Sequence, residues 1–141
     1  MGPALPGQRF FTTSLSELRV AKILIADDDR LIGSMVSFKL ANSGYKVVQA
    51  YNGEEACNTA AAESPDVILL DIMMPVMDGI HVLHQLKGDP NLQSIPVIML
   101  TALGREKDVV GCLKAGAADF VVKPFNLNEL VARIEAVLRK K

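Results

Sequence analysis

The chain holds only two cysteines in 141 residues, Cys57 and Cys112, too few and too far apart for a secreted disulfide framework, so a reducing cytoplasm is the expected setting. Neither charge sign dominates. Fifteen Lys and Arg against sixteen Asp and Glu leave a formal charge of −1, with no basic excess to attract nucleic acid or an anionic membrane. No apolar run approaches the roughly 20 residues a membrane helix needs. The opening MGPALPGQRFFTTSLSELRV lacks the apolar centre of a signal peptide. Internal repeats and low-complexity tracts are missing, and Gly53, Gly79 and Gly104 do not follow the GxGxxG spacing of a dinucleotide site. What is present is a globular balance, 50% apolar and 22% charged, in a length that suits one domain.

Residues 1–20 read as a flexible leader, broken by Pro3, Pro6, Gly2 and Gly7, with Phe10 and Phe11 as its sticky feature. The domain is expected over 21–141. Five short runs rich in Val and Ile follow: Lys22–Ala26, Lys46–Ala50, Asp66–Leu70, Pro96–Leu100 and Ala118–Val122. Their length and continuous hydrophobicity suit strands of a parallel sheet buried on both faces. Helical punctuation separates them. Asn52-Gly-Glu-Glu55 and Asn126-Leu-Asn-Glu129 resemble capping boxes, and Gly44 and Gly116 stand where helices would end. Leu127, Leu130, Val131, Ile134, Val137 and Leu138 form one apolar helical stripe. Five strand-plus-helix units predict an α/β fold, a five-stranded parallel sheet doubly wound by right-handed crossovers.

Such sheets bind ligands beyond the carboxyl ends of their strands. The residues at those ends are Asp27, Asp28 and Asp29 after the first run, Asp71 after the third, Thr101 after the fourth and Lys123 after the fifth. Asp27, Asp28, Asp71 and Lys123 together carry −2. Carboxylates held close raise a pKa or recruit a cation, and a hard divalent ion with oxygen ligands suits the deficit. A cation, a Lys and a Thr hydroxyl are what a phosphoryl group in transfer requires, and an Asp carboxylate can accept that group.

The segments KILIADDD, DVILLDIMMPVMDG, PVIMLTA and GAADFVVKPF, in this order and spacing, resemble the receiver domain of two-component response regulators over residues 22–141. The resemblance implies a flavodoxin-like strand order, 2-1-3-4-5. It implies that Asp71 is the phosphoacceptor, that Asp27, Asp28, Asp71 and the main-chain carbonyl of Met73 hold Mg²⁺, and that Thr101 and Lys123 meet the phosphoryl oxygens. Phe120 takes the aromatic switch position, where Tyr is common, and pairs with Thr101. A cis Lys123–Pro124 bond is implied as well. The partner would be a sensor histidine kinase or phosphotransfer protein. The altered surface would be that of the fourth helix, fifth strand and fifth helix, read by an unknown output partner or by an output domain outside this chain. Receivers of this kind switch rather than turn over substrate, and contact neither nucleic acid nor membrane themselves. Transcription-factor receivers dimerise through that face. Asp119 with Arg133 and Lys114 with Glu135 are candidate pairs across it, although Val109 stands where a basic residue is common, so at most a weak dimer is expected once phosphorylated. By the same resemblance Met73 and Leu103 tune loss of the phosphoryl group. Neither positions a water, so slow loss is expected.

The alternative is catalytic. Asp27-x-Asp29 after an apolar strand, with Thr101 and Lys123, is also similar to haloacid-dehalogenase-type phosphatases, which would make Asp27 the nucleophile; Arg30-Leu31 replace the Gly-Thr usual there. His81 and His84 lie i, i+3 without a third ligand and are expected to face solvent. Met73, Met74 and Met77 are expected to fill gaps, and the two cysteines to pack as small apolar groups.

Overall fold

The structure, a computed structural model, describes residues 20–102 and 104–140. The leader expected over 1–20, Val20 apart, and Leu103 lie outside the described residues. Strands and helices alternate: β1 (Lys22–Ala26), α1 (Arg30–Asn42), β2 (Lys46–Ala50), α2 (Gly53–Glu63), β3 (Val67–Asp71), α3 (Gly79–Gly88), β4 (Val97–Ala102), α4 (Glu106–Lys114), β5 (Asp119–Lys123) and α5 (Leu127–Arg139). All neighbouring strands pair in parallel. In sheet order they run β2-β1-β3-β4-β5, the expected 2-1-3-4-5.

The last three strands each reach further than their apolar runs. Asp71 pairs in register with Leu100, Thr101 with Val122 and Ala102 with Lys123. Asp71 and Lys123 are therefore the final rungs of β3 and β5, and Thr101 the last but one of β4, because each backbone still finds a ladder partner.

Side chains alternate across the pleat. Ile23, Ile25, Val67, Leu69, Ile98, Leu100 and Val121 pack with Val36, Leu40, Leu130 and Ile134 of α1 and α5. Leu24, Ala26, Ile68, Leu70, Val97 and Met99 pack on the other face with α2, α3 and Cys112 of α4. Continuing this alternation sends Asp27, Asp71 and Lys123 toward the α1–α5 side, and Thr101 toward the α4 side, with Phe120.

Capping follows the sequence with one refinement. Asn52 Oδ1 accepts the Glu55 N–H, while Glu55 reaches back to the N–H of Tyr51, one residue beyond the cap. Asn126 caps α5, but Glu129 turns to Arg133 instead of closing the box. Gly44 and Gly116 follow their helices with φ of +96° and +111°, conformations that cost other residues strain. The Lys123–Pro124 bond is cis. No helix among the described residues is long and apolar enough to cross a membrane.

Candidate functional site

β1, β3 and β5 lie so that their ends converge. Asp27 and Asp71 are buried, Asp28 is exposed, and a carboxylate oxygen from each lies within 4.8 Å of the others. Lys123 leans over the pair, with Nζ 2.8 Å from Asp27 Oδ2 and 3.4 Å from Asp71 Oδ2. Asp27 is tied down at both oxygens, since Oδ1 accepts the Asp29 N–H at 2.9 Å. Asp71 is held more loosely, its Oδ1 facing the Met73 N–H at 3.4 Å. Asp29 itself caps α1, accepting from the Leu31 and Ile32 N–H groups, and so takes no part in the cluster.

Burial, and then the negative charge of Asp27, push the Asp71 carboxyl up to about 6, against the pull of Lys123 and the Met73 N–H. Burial opposes the Lys123 charge, but its hydrogen bond to Asp27 and the Asp71 charge outweigh this and hold its pKa above the ordinary lysine value. The site thus carries more negative charge than its own cation neutralises. Three oxygen donors in reach of one point, one of them open to solvent, fit a hard divalent cation.

Gly79 fixes the other side of Asp71. A methyl group there would collide with the Asp71 carbonyl, and the Gly79 N–H donates to the Ile72 carbonyl at 2.8 Å. Only glycine lets α3 begin against the Asp71 backbone.

Thr101 is buried, and its hydroxyl makes a 3.3 Å bond to the Ala102 carbonyl. It lines an apolar cavity of about 290 Å³ between β4, β5 and α4, together with Val109, Leu113, half-buried Phe120 and Val122. The two residues read as switch partners share this space.

Some expectations need correction. Met73 does not fill a gap: it is 55% exposed, whereas Met74 and Met77 do pack on the core. Cys57 is only half-buried. The Asp119–Arg133 pair expected across a dimer face closes within the chain at 2.9 Å, because β5 and α5 bring the two together. His81 and His84 face solvent as expected. Arg105 escaped the sequence reading; its guanidinium Nη1 lies 3.1 Å from Met73 Sδ. Its one signal was being the first cation after Thr101.

A doubly wound parallel domain with an acidic cluster, a lysine and a buried threonine at its strand ends defines a class, and comparison with known proteins names it. The model of the response regulator receiver domain matches residues 23–135, and the chain belongs to that family. It is 44% identical over 119 residues to the phosphate regulon transcriptional regulatory protein PhoB of Escherichia coli, covering 84% of this chain and 52% of PhoB. It is 43% identical to the DNA-binding dual master transcriptional regulator RpaA of Synechocystis sp., over 84% of this chain and 49% of RpaA. The chain thus spans about half the length of these regulators. The chemotaxis response regulator CheY4 of Vibrio cholerae superposes with a TM-score of 0.79 at 34% identity, over 84% of this chain and 99% of CheY4. The chain is a receiver domain, a phosphorylation-dependent signalling module, and nothing favours the phosphatase alternative.

Proposed function

We propose that Asp71 accepts a phosphoryl group from a phosphohistidine of a sensor kinase or phosphotransfer protein. The observation that carries this reading is the contrast between the two buried carboxylates: Asp27 is bound at both oxygens, while Asp71 keeps only a long contact at each. An Asp71 oxygen forms the new O–P bond as the N–P bond breaks, and the imidazole leaves with that electron pair. Asp27, Asp28 and Asp71, with the Met73 carbonyl, would hold Mg²⁺. Bound there, the ion neutralises phosphoryl charge during transfer. Lys123 supplies a fixed positive charge beside Asp71, and Thr101 donates its hydroxyl to a phosphoryl oxygen.

The modified Asp71 adds about two negative charges. Thr101 moves toward them, vacating part of the cavity, and Phe120 turns into that space. The surface of α4, β5 and α5 changes shape, which is the signal. Phe120 carries no hydroxyl, so the change is one of packing alone. A protein donor is supported by α1, which exposes Leu31, Met35 and Phe38 at i, i+4, i+7 beside the acidic cluster. The reader of the signal is an output partner or an output domain joined to this one, as the transcriptional relatives suggest.

Acetyl phosphate with Mg²⁺ should add one phosphoryl group, seen by intact mass and mapped to Asp71. Asp71→Asn should remove it, and Asp28→Ala should remove it while leaving the circular dichroism spectrum unchanged. Label on Asp27 would restore the phosphatase reading.

A further inference from the structure

Arg105 has no part in the scheme above, and its placement asks for a reason. It stands directly before α4, where no side chain caps the helix, and a cation there opposes the helix dipole. Its guanidinium bridges two groups. Nη1 points at Met73 Sδ, 3.1 Å away, while Nε and Nη2 both approach Asp108 Oδ2 at 2.6 Å. Met73 is the residue whose N–H faces the Asp71 carboxylate. Arg105 also lines the cavity that holds Thr101 and Phe120. The guanidinium therefore sits on the rim between the acceptor and the cavity, parked on a partly exposed i, i+3 partner, a weak class of ion pair.

We propose that Arg105 is a phosphoryl-binding residue. In the unmodified chain it rests on Asp108 and Met73. When Asp71 carries a phosphoryl group, the guanidinium leaves Asp108 and donates to two phosphoryl oxygens. The assignment rests on Asp71 being the acceptor. Asp108 offers one negative charge in water, whereas the phosphoryl group offers about two beside a cluster where, among the described residues, Lys123 is the one cation paired with the buried carboxylates. The planar fork of arginine matches phosphoryl oxygens two at a time, which a lysine cannot do. Because Arg105 abuts the first turn of α4, its departure draws that turn toward the acceptor. The transfer couples α4 to the site without passing through Phe120.

The test uses beryllium fluoride, a tetrahedral phosphoryl mimic that adds to a carboxylate, titrated with Mg²⁺ present and followed by calorimetry. Arg105→Ala should weaken binding about tenfold, and Arg105→Lys should recover only part of it. Asp108→Asn, which removes the competing partner, should tighten binding severalfold. An ion pair with a purely structural role predicts the same sign for Arg105→Ala and Asp108→Asn. Equal binding by the wild type, Arg105→Ala and Asp108→Asn, or weakening in both Arg105→Ala and Asp108→Asn, would overturn the assignment. Asp71→Asn should bind none; binding retained there would overturn the acceptor reading itself, a failure distinct from one confined to Arg105.

Discussion

A carboxylate held out of water beside another carboxylate is ionised at a cost, and Asp71 bears that cost. Its pKa of about 6 lies above the unfolded value, so between about pH 4 and 6 the folded chain binds more protons than the unfolded one. Stability from this group falls as pH rises through that window, and the loss is complete above it. Asp71→Asn should therefore stabilise the metal-free protein by about 2 kcal/mol at neutral pH and by little near pH 4, read from urea unfolding at both. Mg²⁺ should offset the same repulsion. At ten times its Kd it should raise wild-type stability by about 1.4 kcal/mol and leave Asp28→Ala unmoved, as thermal melts would show. Val76 shows strain of another kind: a β-branched residue at φ +71°, 76% exposed, in the loop after β3. Asparagine tolerates that region and no packing is lost, so Val76→Asn should stabilise by about 1 kcal/mol, checked by denaturant midpoint. Most site residues were legible in sequence because polar groups at the ends of apolar runs stand out. Arg105 was not, since Asp108 is an ordinary i, i+3 neighbour in sequence and Met73 meets it only where the start of α4 approaches the β3–α3 loop.

At the scale of elements, the first two strands end where their hydrophobicity ends, and the last three do not. Backbone pairing continues one residue past the apolar run in β3 and β5 and two in β4, wherever a neighbouring strand still offers partners, so the ladder takes in Asp71, Thr101 and Lys123. Caps were legible because an Asn or Asp oxygen can serve only N–H groups two or three residues ahead. The run Asp27-Asp28-Asp29 was ambiguous for the same reason: any of the three suits a cap, and the chain has to turn before the roles separate. Asp29 alone binds the first turn of α1. Asp29→Ala should cost about 1 kcal/mol of stability while the chain still accepts phosphoryl from acetyl phosphate, whereas the same change at Asp28 should do the reverse. Chemical denaturation and intact mass on the two variants separate cap from site.

For the whole molecule, the fold was readable from the alternation of units, whereas assembly was not, because a charge pair on paper does not say whether its members meet within one chain. Arg133 meets Asp119 and Glu129 at home, which leaves fewer free charges on the α4–β5–α5 face. Exposed pairs are worth at most about 1 kcal/mol each, so sedimentation should find a monomer without phosphoryl donor and only weak, concentration-dependent pairing with it. The two flanks of Asp71 differ in compliance. On one side α3 is wedged against the Asp71 carbonyl with no room for a single carbon atom at Gly79. On the other, α4 begins uncapped above a cavity. Force applied at the junction of a stiff wall and a soft one is not shared equally; displacement goes to the soft one. In the switching proposed above, the glycine at the start of α3 would act as a mechanical rectifier, holding one wall still so that a local change of charge has a single outlet, the α4 surface.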